Sequence, residues 1–201
     1  MNKGRLFIIS GPSGSGKDTI LAEVFKKMPE LKFSISTITR PMRKGEIEGE
    51  KYHFTTNDIF EKMLEKGELL EHNLFVGNYY GTPKAPVENA INNGDDIIVE
   101  VDVNGAAQIR EKVDDSVSVF ILPPSLEVLK ERLTKRDTDS VEAVKKRLEC
   151  ALCEINRADE YDYVVVNNEI SAAVNDVISI IKSDRLRIDR NIKLINEISN
   201  K

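Results

Sequence analysis

Gly11, Pro12, Ser13, Gly14, Ser15, Gly16 and Lys17 form a glycine-rich run that ends on a lysine. It lies between four apolar residues, Leu6 to Ile9, and a helical pattern at Thr19, Ile20, Val24 and Phe25. A strand, a loop and a helix N-terminus in this order let the backbone turn its N–H groups toward one point, where the positive helix end reinforces them. The result is an anion site suited to a polyphosphate, with Lys17 as a point charge near the terminal phosphates. Gly11 and Gly16-Lys17 have the spacing of a Walker A loop. That pattern asks next for Ser or Thr, whose hydroxyl holds Mg²⁺. Here Asp18 and then Thr19 follow, so Asp18 or Thr19 is the candidate metal residue.

Downstream, Arg40 and Arg43 with Tyr52 and Tyr80 offer two guanidinium forks and two phenol hydroxyls. Arginine grips a phosphate bidentately and tyrosine adds one hydrogen bond. A second phosphate site, apart from the glycine-rich loop, is what a phosphoryl acceptor needs; the alternative is a set of solvated turn charges. A third group is Ser36, Glu71, Thr82 and Asp102. A carboxylate matches the adjacent N1–H and 2-amino donors of guanine, and a hydroxyl suits its O6. Adenine offers neither pattern, so such a site rejects it by leaving polar groups unpaired. Arg132, Arg136 and Arg147 flank a break between two helices at Arg136 to Ser140. Positive charge delivered there, over a transferring phosphoryl group, would stabilise that group and exclude water.

These residues need a frame. With 201 residues, the chain is long enough for one α/β core, or a core with a small inserted lobe. Apolar residues make up 40% of it, charged residues 31%, and the net charge of −5 carries no basic excess that would suggest nucleic acid. The N-terminal apolar run leads straight into the glycine-rich loop and reads as a first strand, not a leader. No apolar stretch approaches bilayer length, so a cytoplasmic protein without a membrane partner is expected. Cys150 and Cys153 read as two reduced cysteines on a helix.

Strands are expected at Leu6 to Ile9, Leu31 to Thr39, Tyr52 to Thr55, Glu68 to His72, Leu74 to Val76, Ile97 to Val103, Val117 to Leu122 and Tyr163 to Val166. Gly77 to Thr82 reads as a short turn. Helices fall between them, with Thr56 and Ser125 as N-caps. The alternation predicts a mostly parallel sheet with helices on both faces and ligands at the strands' carboxyl ends. Residues 40–83 are short, turn-rich segments unlike their flanks and read as an inserted lobe. The tail, 184–201, is an amphipathic helix that either packs on the core or meets a partner, which leaves monomer or homodimer open.

Six segments resemble one family: SGPSGSGK at Ser10 to Lys17, SISTITRPMR at Ser34 to Arg43 followed by G-E-x-x-G-x-x-Y at Gly45 to Tyr52, GNYYGT at Gly77 to Thr82, EVDVNG at Glu100 to Gly105, ILPPS at Ile121 to Ser125, and DEYDYVVVN at Asp159 to Asn167. Together they resemble guanylate kinases over about residues 5–183, in order and with matching gaps. The resemblance implies a P-loop NTPase-type α/β fold, with a parallel sheet flanked by helices, an inserted small mixed α/β GMP-binding lobe and a helical lid. The chain 1–201 would be a single such domain, with core 1–39 and 84–183, lobe 40–83, lid 132–147 and tail 184–201. It further implies transfer of phosphate from ATP, with Mg²⁺, to GMP and dGMP, serving purine nucleotide metabolism and GMP recycling.

On that resemblance the loop residues Gly11 to Lys17, with Asp18, Thr19 and Arg132, would bind ATP. Ser36, Glu71, Thr82 and Asp102 would face guanine, and Arg40, Arg43, Tyr52 and Tyr80 would hold the GMP phosphate. Lys17, Arg40, Arg136 and Arg147 would be catalytic. The chain departs from the family pattern at Asp18, where Ser or Gly is usual, and at Asp137, where a lid glycine is usual. The rival readings are a non-catalytic guanylate-kinase-like module that binds proteins, and a kinase of another phosphorylated acceptor.

Overall fold

The computed structural model describes residues 3–134 and 141–199. In chain order the strands are β1 (Leu6–Ser10), β2 (Lys32–Phe33), β3 (Ser36–Ile38), β4 (Tyr52–Phe54), β5 (Leu69–Phe75), β6 (Asn78–Pro83), β7 (Ile97–Glu100), β8 (Val117–Leu122) and β9 (Tyr163–Val166). The helices are α1 (Lys17–Lys27), α2 (Asn57–Glu65), α3 (Lys84–Asn93), α4 (Val103–Lys112), α5 (Leu126–Thr134), α6 (Val141–Ile155), α7 (Ile170–Arg185) and α8 (Ile188–Ile198). A five-stranded parallel sheet has the order β2-β7-β1-β8-β9, and a four-stranded mixed sheet has the order β4-β3-β6-β5. Continuous apolar runs explain the central strands β1 and β7 of the first sheet. Every residue of β1 is buried, as a strand covered on both faces by helices must be.

The chain divides into two compact units. One contains Ile9–Glu30 and the described residues from Ser118 onward; the other contains Gly4–Ile8 and Leu31–Val117. In the first, α1 packs on α7, α7 on β9, and α5 on α6. Leu129, Leu133 and Ala151 are buried together there, with Val144, Leu148 and Ile155 against them. In the second, α4 lies along β5 and α3 along β7. β5 is an edge strand, and α4 covers its exposed backbone. Gln108 accepts from the His72 N–H and donates to the His72 carbonyl, and Lys112 donates to the Leu70 carbonyl at 2.6 Å.

Three expected elements take a different form. The run Leu31 to Thr39 is two strands in two sheets. β2 pairs with β7, the Ser34 N–H still reaches the Ile98 carbonyl, and β3 then pairs with β4 and β6. The two strands expected within Glu68 to Val76 are the single strand β5, and the expected turn at Gly77 to Thr82 is mostly strand β6. The turn itself is Val76-Gly77, closed by the Phe75–Asn78 pair, with φ of 49° and 74°. The tail forms α8, but Ile188, Ile192, Leu194, Ile195 and Ile198 stay exposed and none of its residues is buried. It is anchored by polar contacts, as Arg190 donates to buried Asp184 of α7 at 2.7 Å.

Candidate active site

The glycine-rich loop leaves β1, turns through a bond from Ser15 N–H to the Pro12 carbonyl, and enters α1 at Lys17. Two glycines are required by close approach. A Cβ at Gly11, where φ is 146°, would sit 2.2 Å from the Ile121 carbonyl oxygen; one at Gly16, where φ is 92°, would sit 2.3 Å from Asn167 Nδ2. Lys17 folds its ammonium back to the Gly11 carbonyl. Asn167, just past β9, donates from Nδ2 to the Ser15 carbonyl at 2.7 Å, while Arg132 of α5 donates to the carbonyls of Ser15 at 3.3 Å and Asn167 at 3.1 Å. Arg132 thus joins the loop to the end of β9. Asp18 and Thr19, in the first turn of α1, are exposed, as is Ser13. A nucleotide-borne Mg²⁺ takes most of its ligands from phosphate and water, so the hard oxygen donors of Asp18 or Thr19 fit one remaining position.

Five of the other expected residues, Ser36, Tyr52, Glu71, Tyr80 and Thr82, come together on the four-stranded sheet. Register sets Ser36 beside Tyr52 and Glu71 beside Thr82. The β3–β6 register, carried one residue on from the Thr37–Gly81 pair, sets Ser36 beside Thr82. Tyr52, Ser36, Thr82 and Glu71 therefore form one row on one sheet face. Two residues along the strands, the next row on that face includes Phe54, Ile38, Tyr80 and Asn73. Thr82 donates its hydroxyl to Glu71 Oε1 at 2.7 Å. Gly105, at the start of α4, makes room for that carboxylate, because a Cβ there would lie 2.8 Å from Glu71 Oε2. Asp102 caps α4, its Oδ1 accepting from the N–H groups of Asn104 and Gly105.

Burial pushes the Glu71 carboxyl up to about 7, against the Thr82 bonds that favour its ionised form; the Asp102 charge adds to the rise and Lys112 opposes it. Arg40 is also buried, and its guanidinium makes a two-pronged pair with Glu46 at 2.7 and 2.6 Å. It also faces the rings of Tyr52 and Phe54, with centroids at 5.3 and 5.7 Å. Glu46, with a tyrosine contact from Tyr80, holds Arg40 firmly protonated. The Arg40 bond and the Arg43 N–H in turn bring Glu46 down to about 2. The Arg43 side chain is exposed.

Arg147 is half-buried in α6, and Arg136 and Asp137 lie outside the described residues, as does the rest of 135–140 within the expected lid. Glu46 and Asn73 were not singled out by sequence, and Asn167 stood only as a strand's carboxyl end. Glu46 sits in the G-E-x-x-G-x-x-Y segment, which was its only signal. Asn167 closes the DEYDYVVVN segment and reaches Ser15 only through the fold. Asn73, whose Nδ2 donates to Asp102 Oδ2, shows no local pattern at all. Among the described residues no group of three or more His, Cys, Asp or Glu is placed to hold a metal, and no helix is long and apolar enough to cross a membrane.

Known proteins resemble this chain in sequence and in fold. A sequence model of the family described as guanylate kinase matches residues 3–184. A guanylate kinase of Carboxydothermus hydrogenoformans is 46% identical over 94% of this chain and 93% of its own length, and one of Lactococcus lactis is 45% identical over 95% and 93%. The crystal structure of guanylate kinase from Anaplasma phagocytophilum superposes with a TM-score of 0.80 at 29% identity, covering 98% of this chain and 95% of that one. A glycine-rich loop, a polar sheet face and near full-length similarity in sequence and fold lead to one assignment: the chain belongs to the guanylate kinase family.

Proposed function

We propose that this protein phosphorylates GMP, and dGMP, at the expense of ATP. The observation that carries this is buried Glu71, bonded to Thr82 in one row with Ser36: a carboxylate for the N1–H and 2-amino donors of guanine, beside the Ser36 hydroxyl as a donor to O6. Arg40, Arg43, Tyr52 and Tyr80 hold the acceptor phosphate. None of the assigned residues is needed for the ribose 2′-hydroxyl, which is why dGMP is included.

An oxygen of the GMP phosphate attacks the γ-phosphorus of ATP in line, the bond to the β-phosphate oxygen breaks, and ADP and GDP leave. The attacking oxygen is already ionised, so no protein nucleophile or base is needed. Catalysis is positioning and charge neutralisation by Lys17, Arg40, Arg136 and Arg147. The phosphate loop from Gly11 to Gly16 orients ATP through its N–H groups, with Arg132 and Asn167 fixing the loop's shape. Mg²⁺, bound with ATP and held by Asp18 or Thr19, would supply further neutralisation of the phosphates. The same reading places the enzyme in the cytoplasm, as a monomer or homodimer in purine nucleotide metabolism.

The test is ADP release by purified protein with GMP, dGMP, AMP, UMP and dTMP. GMP is expected to be fastest, dGMP to follow, and Lys17→Ala to lose turnover by orders of magnitude while remaining folded. Faster turnover with a non-guanine acceptor would overturn the proposal.

A further inference from the structure

Asn73 lies two residues beyond Glu71 on β5, so both side chains stand on the same sheet face, Asn73 opposite Tyr80 and Glu71 opposite Thr82. Its Nδ2 donates to Asp102 Oδ2. The other oxygen of that carboxylate, Oδ1, already accepts from the N–H groups of Asn104 at 2.9 Å and Gly105 at 2.8 Å. A carboxylate oxygen has about two acceptor positions. Those of Oδ1 are filled by the α4 backbone, and Asn73 takes one of the two on Oδ2. Two bonds to Oδ1 alone would let the carboxylate pivot about that atom; the third bond, from Asn73, fixes its plane. One acceptor position on Oδ2 remains for a ligand, in a set direction, beside Glu71.

We propose that Asn73 is a positioning residue that sets specificity for the acceptor base, by aiming the remaining acceptor position of Asp102 at the 2-amino group of guanine. The inference rests on GMP being the acceptor. It separates guanine from hypoxanthine, the same ring system without the 2-amino group. Glu71 takes the N1–H of either base and one hydrogen of the guanine 2-amino group, which leaves the second hydrogen of that group for a further acceptor. An Asp102 oxygen fixed in place adds a bond that only guanine can complete.

The test is steady-state kinetics with GMP, and with inosine monophosphate as the probe lacking the 2-amino group, for the wild type, Asn73→Ala and Asn73→Leu. Leucine keeps the branched shape of asparagine, with more bulk and without its donor, so it stands in if the alanine variant folds poorly; thermal unfolding of each variant is recorded alongside. Both variants are expected to raise the GMP KM about tenfold, the scale of one hydrogen bond to a charged group. kcat and the ATP KM stay within about twofold, and the preference for GMP over inosine monophosphate falls by the same factor of about ten. Unchanged preference, or equal losses with both nucleotides, overturns the assignment of Asn73. A wild-type enzyme that fails to favour GMP over AMP and UMP overturns the acceptor reading instead, so the two failures are distinguishable.

Discussion

Thr82 donates its hydroxyl to Glu71 at 2.7 Å, and both side chains are buried, with relative exposures of 0% and 5%. That bond favours the ionised carboxylate, yet burial prevails and lifts Glu71 to about 7. Guanine donates two N–H groups, so it needs the ionised form. The apparent GMP KM is therefore expected to fall as pH rises toward 7, by up to about tenfold per unit, and to level off above it. Asp102 and Lys112 are the charged neighbours that tune this value. A pH profile of kcat/KM for GMP checks it, and Glu71→Gln should lose the inflection.

Stability should move in the opposite sense. The folded state holds the Glu71 proton more tightly than the unfolded chain, so this group's contribution is full below about 4.5 and is lost as pH rises to about 7. The loss is on the order of 3 kcal/mol. Glu71→Gln removes it, and the variant should unfold at higher temperature than the wild type at pH 8, with little difference at pH 4.5. Calorimetry at the two pH values reads this directly.

Asn167 and Ser15 are far apart in sequence but share a buried bond of 2.7 Å. Asn167→Ala removes that bond and leaves the longer Arg132 bond at 3.3 Å to the Ser15 carbonyl. The loop is then less well held, and the ATP KM should rise about tenfold with the GMP KM unchanged. Asn167→Asp should be worse, because it sets a carboxylate against a carbonyl oxygen and near the nucleotide phosphates. Kinetics with each substrate varied separately decide the point.

Glu46 keeps Arg40 in place through both of its oxygens while also accepting from the Arg43 N–H. Glu46→Ala should loosen the turn that carries both arginines and raise the GMP KM about tenfold, with the ATP KM unmoved. The pair's contribution to stability is present above the ordinary carboxylate range near 4.5 and is lost as pH falls through about 2. Acid unfolding of the wild type and variant should therefore differ near neutrality and converge at the acid end.

Val76 is a β-branched residue at φ 49°, in a hairpin turn that asparagine-glycine would suit, and it is 81% exposed. Val76→Asn should stabilise the protein by about 1 kcal/mol, or roughly 2–4 °C in Tm, without changing turnover. A thermal melt with an activity assay checks both halves.

The glycine-rich loop between β1 and α1 was legible because its pattern is local. Gly11, Gly16 and Lys17 must stand at fixed spacing to curl N–H groups toward an anion, whatever packs around them. The same holds for β1 and β8, whose apolar runs Leu6 to Ile9 and Val119 to Leu122 demand burial on both faces. Period-two patterning could not say where Leu31 to Thr39 would divide. An alternating run suits either sheet, and only the pairing partners, β7 for one half and β4 and β6 for the other, decide it. Ser36, Glu71, Thr82 and Asp102 could be named from residue type and family resemblance, but the row on one sheet face is a property of register. Glu46, Asn73 and Asn167 were beyond reach of spacing, because their partners Arg40, Asp102 and Ser15 are met through a turn, a strand-to-helix contact and a strand-end contact. Sequence by itself determined which groups could do the chemistry, since phosphate and guanine recognition depend on residue type. Tertiary structure alone decided how those groups are aimed and charged, since hydrogen-bond direction and burial arise only when distant segments are packed together.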